Sequence, residues 1–149
     1  MILFADHPEF TPDLSPRQIF MLGSFGGTYW RPIHSAVTQK NYANEHRKFD
    51  FLADIPDNVM IRPWSQYDKN INKYKTKVGT TLEYWESKNW ITKHDPYGWV
   101  QWYCNFYNGR RIPKEDERQI KRWLAIKKRF TRKTPAVMQT LQHWGIILD

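Results

Sequence analysis

His94-Asp-Pro-Tyr-Gly-Trp-Val-Gln-Trp-Tyr-Cys-Asn-Phe-Tyr-Asn-Gly-Arg-Arg111 is the stretch that decides the fold. Wound as a helix, it puts Trp99, Tyr103 and Phe106 on one face and Val100, Cys104 and Tyr107 on the next. An apolar surface that wide belongs to a central helix packed on more than one side. Asp95-Pro96 supplies a start signal, and Gly109 after Asn108 supplies a left-handed stop. The remaining stripe, Gln101, Asn105 and Asn108 at i, i+4 and i+7, is polar. Buried amides must find partners at a cost of about 1–3 kcal/mol each if they do not. They therefore either satisfy loop backbone within the fold or line a pocket and orient a ligand.

Outward from this helix, the punctuation is mostly helical. Lys114–Phe130 is the longest candidate, with acids in its first turn and bases in its last, as the helix dipole favours. Ile120, Trp123, Leu124 and Phe130 are expected toward a core. Lys114, Arg118, Lys121, Arg122, Lys128, Arg129 and Arg132 are left for solvent or a partner, with the Lys127 stem along the apolar edge. Thr134-Pro135 opens a last helix, which Gly145 closes. Upstream, Ser15-Pro16-Arg17-Gln18 reads as a capping box that starts a helix through Leu22, closed by Gly23. Thr80-Thr81-Leu82-Glu83 reads as a second, opening a helix to about Lys88, and Asn44–Ala53 as a short helix. Between them, Asn58–Trp64 and Lys73–Val78 are richer in β-branched and aromatic residues, and Lys73, Lys75 and Lys77 alternate with Tyr74, Thr76 and Val78. That period of two predicts a strand with a lysine face. The fold expected is mainly α: a single domain over residues 1–149, about six helices, and one short β-hairpin in the middle.

Composition sharpens the expectation. The chain has 149 residues, 23 Lys plus Arg, 15 Asp plus Glu and a formal charge of +8, with 8 Trp, 8 Tyr and 8 Phe. A chain of this length buries ~68–70% of its unfolded surface and needs no covalent staple. One cysteine, Cys104, excludes a disulfide scaffold and fits a small core residue. The start, Met-Ile-Leu-Phe-Ala-Asp, lacks a basic opening and a long apolar run, so no signal peptide is expected. No apolar run reaches the ~20 residues of a membrane span. The expected setting is a reducing compartment, cytoplasmic or nuclear, including that of a viral protein acting inside a cell, and not secretion.

The charge is concentrated. Residues 105–135 hold eleven bases against Glu115, Asp116 and Glu117, a surplus equal to that of the whole chain, while residues 1–60 are slightly acidic. A polyanionic partner follows from such asymmetry, because neutralised phosphates release counterions. A solvated face that keeps the chain soluble is the plainer alternative. Arg110 and Arg111 either serve the negative end of the preceding helix or grip a phosphate by paired hydrogen bonds.

Templates for catalysis are mostly absent. His7, His34, His46, His94 and His143 show no metal-ligand spacing, and no serine sits in a nucleophile elbow. Gly23-Ser-Phe-Gly-Gly-Thr-Tyr-Trp-Arg-Pro32 follows a helix and leads into Arg-Pro, so it is neither a Walker loop nor a dinucleotide fingerprint. It reads as a tight turn, or as a close backbone approach to a ligand with Tyr29, Trp30 and Arg31 at the rim. No metal or cofactor is expected.

The blocks Tyr97–Arg111, Asp116–Trp123, Ser15-Pro16, Gly23–Trp30 and Trp85–Trp90 together resemble an uncharacterised small-domain family of microbial and viral hypothetical proteins. The resemblance implies one coherent domain and carries no activity, cofactor or catalytic residue.

The leading functional expectation is a nucleic-acid-binding protein, for DNA or RNA. Arg110, Arg111, Lys121, Arg122, Lys128, Arg129, Arg132 and Lys133 would contact phosphates, and Tyr29 or Trp30 would stack on bases. The first alternative is a small enzyme or binding protein for an anionic molecule bearing phosphate or carboxylate. Its pocket would lie between the Gly23–Arg31 loop and the Gln101, Asn105 and Asn108 stripe, with Arg31 or Arg110 holding the anion. The second is an interaction module for an acidic protein.

Overall fold

The computed structural model describes residues 1–148. They form five α-helices and one short hairpin: α1 Pro16–Leu22, β1 Ile33–Ser35, β2 Lys40–Tyr42, α2 Leu82–Ser87, α3 Trp99–Tyr107, α4 Pro113–Arg129 and α5 Pro135–His143. Six single turns of tighter helix punctuate the remainder. None of these helices is long and apolar enough to cross a membrane.

α3 is the central helix its two apolar faces predict. Trp102, Tyr103, Cys104 and Phe106 are fully buried. Phe10, from the irregular N-terminal segment, inserts among the rings of Trp99, Trp102, Tyr103, Phe106 and Trp123, with centroids 5.1–6.1 Å away. Tilted and edge-on pairs at such distances add ~0.5–1.5 kcal/mol each beyond area burial. The polar tips of these rings are matched. Trp102 Nε1 donates to Asp116 Oδ1 at 2.8 Å, Tyr103 Oη to the Leu14 carbonyl at 2.8 Å, and Trp123 Nε1 to the Trp144 carbonyl at 2.9 Å. Asp116 also accepts the Ile112 N–H, so one buried carboxylate ties α3 to the start of α4.

Residues 13–14 and 145–147 meet beside this core. Asp13 and Leu14 donate their N–H groups to the Gly145 carbonyl, and Ile147 N–H donates to Asp13 Oδ2.

Several elements differ from the sequence reading, each for a local reason. Ser15 and Gln18 form the expected reciprocal capping box. At α2 the cap is Thr81, whose hydroxyl accepts Tyr84 N–H, so Glu83 lies at the second helical position and closes no box. Asn44–Ala53 is not one helix but two short turns, Glu45–Lys48 and Asp50–Leu52, separated by extended Phe49. That break sends the Phe49 ring into the core against Trp30. The hairpin is β1 with β2, antiparallel with Ile33 opposite Tyr42, rather than anything between residues 58 and 78. Lys73–Val78 keeps its alternation, lysines exposed and Tyr74, Thr76 and Val78 partly covered, yet Lys75 takes a positive φ of 56° and no ladder forms. Pro56 and Pro63 reduce the preceding stretch to isolated turns. On α4, Ile120 and Trp123 are buried as expected, whereas Leu124 is exposed.

The Gly23–Pro32 loop is a packing device. Its backbone pairs with the 60–73 segment through Trp30 N–H to Met60 O, Arg62 N–H to Gly27 O, Asp68 N–H to Gly26 O and Lys73 N–H to Gly23 O. Gly23 sits at φ 99°, and a Cβ there would lie 1.9 Å from the Ile71 carbonyl oxygen. The close approach is therefore to the chain itself.

Candidate ligand cavity

The expected sites fall into two groups. Gln101, Asn105, Arg110 and Arg111 are engaged inside the fold. Gln101 Oε1 accepts the Tyr97 N–H at 2.8 Å, and Asn105 Nδ2 donates to Asp95 Oδ1 at 2.9 Å. Arg110 forms a two-pronged pair with the same carboxylate, at 3.0 and 2.5 Å. Asp95 is 1% exposed, and burial raises its pKa even with Arg110 and Asn105 opposing the shift. Arg111 binds Asp6 and the Phe106 carbonyl and lies 3.6 Å from the Phe106 ring centroid. Its pairing pulls the Asp6 carboxyl down to about 2. Asn108 is an exposed residue at the end of α3. Gln101 and Asn105 thus fasten the turn before α3, while Asn108 stands outside it.

Tyr29 and Trp30 are likewise not exposed platforms. Trp30 is fully buried, and the two rings stack on each other at 4.9 Å. Stacking on bases at a protein surface is therefore not open to Trp30. Tyr29 and Arg31, however, form part of a cavity whose other walls the sequence reading did not anticipate.

This cavity measures about 440 Å³ and lies between the Gly23–Arg31 loop, the 64–91 segment with α2, the start of α3, and one face each of α4 and α5. Ligand pockets of ~300–1,000 Å³ are usual for small molecules. Trp64, Trp85, Trp90, Trp99 and Trp144 all line it. Three arginines, Arg31, Arg122 and Arg129, line it as well, and no carboxylate is among its described walls.

The arginines are held without acidic partners. Arg31 Nη1 donates to the Thr28 carbonyl at 3.0 Å, and its guanidinium lies 5.5 Å from the Trp64 ring centroid. Arg122 Nη1 donates to Trp90 O and Gln119 Oε1, with the group between the Trp90 and Trp144 rings at 5.7 and 5.3 Å. No Asp or Glu oxygen among the described residues lies within ion-pair distance of Arg31, Arg122 or Arg129. Burial, with Arg118 nearby and Glu115 opposing, lowers the Arg122 pKa to about 10, and burial, opposed by Glu83, lowers that of Arg31 too. Cation–π contact compensates in part at ~0.5–2 kcal/mol, but it leaves the N–H edges able to meet an anion.

The inner wall adds a neutral donor. His143 is 6% exposed, its ring stacked 3.9 Å from that of Phe25. Its Nε2 accepts the Phe25 N–H at 3.0 Å, and burial lowers its pKa to about 3. The neutral ring must therefore carry its proton on Nδ1. That N–H takes no partner among the described residues.

Sequence reasoning missed Trp64, Trp85, Trp90, Trp144 and His143 as site residues. The available signal was four tryptophans not assigned to the expected core: Trp64 and Trp90 outside the expected helices, Trp85 within a short one and Trp144 at the end of another. No protein-family model, curated protein or solved structure matches this chain.

Of the remaining phosphate candidates, Lys121 is exposed and pairs with Glu117 at 3.0 Å. Lys128, Arg129, Arg132 and Lys133 are exposed around the end of α4, and none has an ion-pair partner among the described residues.

Proposed function

We propose that this protein binds a small molecule that joins a flat apolar body to a carboxylate or phosphate, held in the aromatic cavity. The supporting observation is the pair Arg31 and Arg122, cations set against indole rings in a wall with no carboxylate. A cation partly removed from water without a direct ion-pair partner weakens the unliganded fold, and an anionic ligand would reduce that penalty. The indoles would cover the flat body, and the His143 Nδ1–H would meet an acceptor on it. Nothing in the cavity supplies a nucleophile paired with a base, so the reading is of binding.

Thermal shift and tryptophan fluorescence with aromatic carboxylates and nucleoside monophosphates test it, each beside a neutral analogue. A ligand at 100 times its Kd adds ~2.7 kcal/mol of stability. Saturable binding of the anions, at least tenfold tighter than of the neutral analogues, is expected. Equal binding of both would remove the role given to the arginines.

Nucleic-acid binding keeps a narrower support than the sequence suggested. Arg110 and Arg111 serve the fold, and Arg122 serves the cavity. Lys128, Arg132 and Lys133 remain as exposed, unpaired cations, in a stretch with no acid from Arg118 through Leu148.

A further inference from the structure

The cavity wall and the exposed basic run are parts of one continuous surface. Arg129, the last residue of α4, lines the cavity, and so does Phe130 directly after it. The chain then runs on through exposed Arg132 and Lys133 before α5 begins. Lys77, next to lining Val78, adds a cation beside the wall. Its ammonium lies 5.1 and 4.9 Å from the ring centroids of Trp64 and Tyr67, two further lining residues. Positive charge therefore does not stop where the cavity stops. A ligand wholly enclosed by the cavity would have no use for Arg132 and Lys133.

We infer that the ligand is one unpaired nucleotide of a single-stranded nucleic acid, its base in the aromatic cavity and its neighbouring phosphates along Arg129, Arg132 and Lys133. This rests on the cavity reading above and names its ligand class. A base is the flat body that the indoles would cover, and its ring nitrogens and carbonyls are acceptors for the His143 Nδ1–H. Its own phosphate supplies the anion for Arg122 or Arg31. A duplex cannot present a base this way without unstacking it, so unpaired strands or ends are selected. Backbone contacts to two or three phosphates give affinity that falls with salt, at a slope of roughly −0.7 per phosphate for single strands.

The test compares a nucleoside monophosphate, a single-stranded hexanucleotide and the matching duplex, by tryptophan quenching at two salt concentrations. The single strand is expected to bind at least tenfold tighter than the monophosphate at low salt, and to lose most of that advantage at high salt. The double variant Arg132→Ser/Lys133→Ser changes only exposed side chains, so it leaves monophosphate binding intact while removing the advantage of the strand. Arg122→Met weakens both ligands. Monophosphate binding with no gain from the strand would overturn this inference and leave the cavity reading standing. Strand binding that is indifferent to Arg122→Met and quenches no tryptophan would also overturn it, placing the nucleic acid on the outer surface. Failure of the monophosphate, the strand and the aromatic carboxylates alike would overturn the cavity reading itself.

Discussion

Two pairs of arginines adjoin opposite ends of α3, and their environments differ in one respect that matters. Arg110 and Arg111, after its C-terminus, each meet an aspartate and a backbone carbonyl. Arg31 and Arg122, near its N-terminus, meet carbonyls, an amide and indole faces, but no aspartate or glutamate. Sequence context offered the first pair, adjacent and following a helix stop, either as partners of the helix end or as a phosphate grip, and named Arg31 and Arg122 for anions as well. Charge compensation points to the second. A cation already paired in the fold must break that pair to bind a ligand, whereas a cation on an aromatic wall gains a partner. Availability, more than the count of basic residues, separates a site from a staple.

The contrast breaks most visibly at Arg110. Replacing it with methionine strands Asp95, a carboxylate 1% exposed, with Asn105 as its remaining side-chain partner. Breaking a buried pair costs about 3–5 kcal/mol, and the lower end applies here because Arg110 is itself partly solvated. Urea unfolding at pH 7 should show a loss of about 3 kcal/mol for Arg110→Met. The loss should shrink toward pH 5, since Asp95 already titrates high through burial and escapes by taking up a proton. A change below 1 kcal/mol at pH 7 would show that the Asp95 pair is no staple, and the contrast would lose its structural half.

The cavity side has its own pH signature, of the next size down. His143 is neutral in the fold with a pKa of about 3, below the ~6.5 of a free histidine. The unfolded chain therefore binds more protons than the folded one between those values. Stability from this group is fully present above pH 6.5 and is lost as pH falls toward 3. Between pH 7 and pH 5 the loss amounts to about 2 kcal/mol. His143→Gln keeps an acceptor for the Phe25 N–H and removes the titration, so its stability should change less over that interval than that of the unsubstituted protein. Parallel profiles would mean that His143 is not the buried neutral donor of the inner wall.

How much of this was legible in the sequence depends on what each signal measures. Apolar periodicity reports burial, and it located α3 and most of α4, while cap and proline signals located the helix starts at Ser15 and Thr134. It failed where one residue's burial overrides local preference: Phe49 turning inward splits a helix, and a positive φ at Lys75 spoils an alternating strand. The sites were harder. Arg31 and Tyr29 were named for a pocket and do line one, but its other walls come from Trp64, Trp90 and Trp144, tens of residues away. Gln101 and Asn105 have the spacing of a ligand-reading stripe, and their partners, Tyr97 N–H and Asp95, lie in the turn just before α3. Side-chain spacing cannot distinguish an amide that caps its own turn from one that reads a ligand. Nor can it show that Asp95 neutralises Arg110, fifteen residues on.

The smallest stability effect is expected where the functional effect is largest. Arg122→Met removes hydrogen bonds to Trp90 O and Gln119 Oε1, and a cation–π contact, together worth about 1–3 kcal/mol. It also removes the cost of holding a half-buried charge with no direct ion-pair partner, and buried charges exchanged for apolar groups of similar size are often neutral or gain about 1–4 kcal/mol. The two contributions oppose each other, so unfolding at pH 7 should move by no more than about 1 kcal/mol in either direction. Anion binding in the cavity should fall at least tenfold, since the methionine cannot donate. Arg110→Met should do the reverse, lowering stability and leaving the affinity of the folded fraction unchanged. Equal stability losses for the two variants would mean that Arg122, like Arg110, is a structural cation whose compensation lies within the fold.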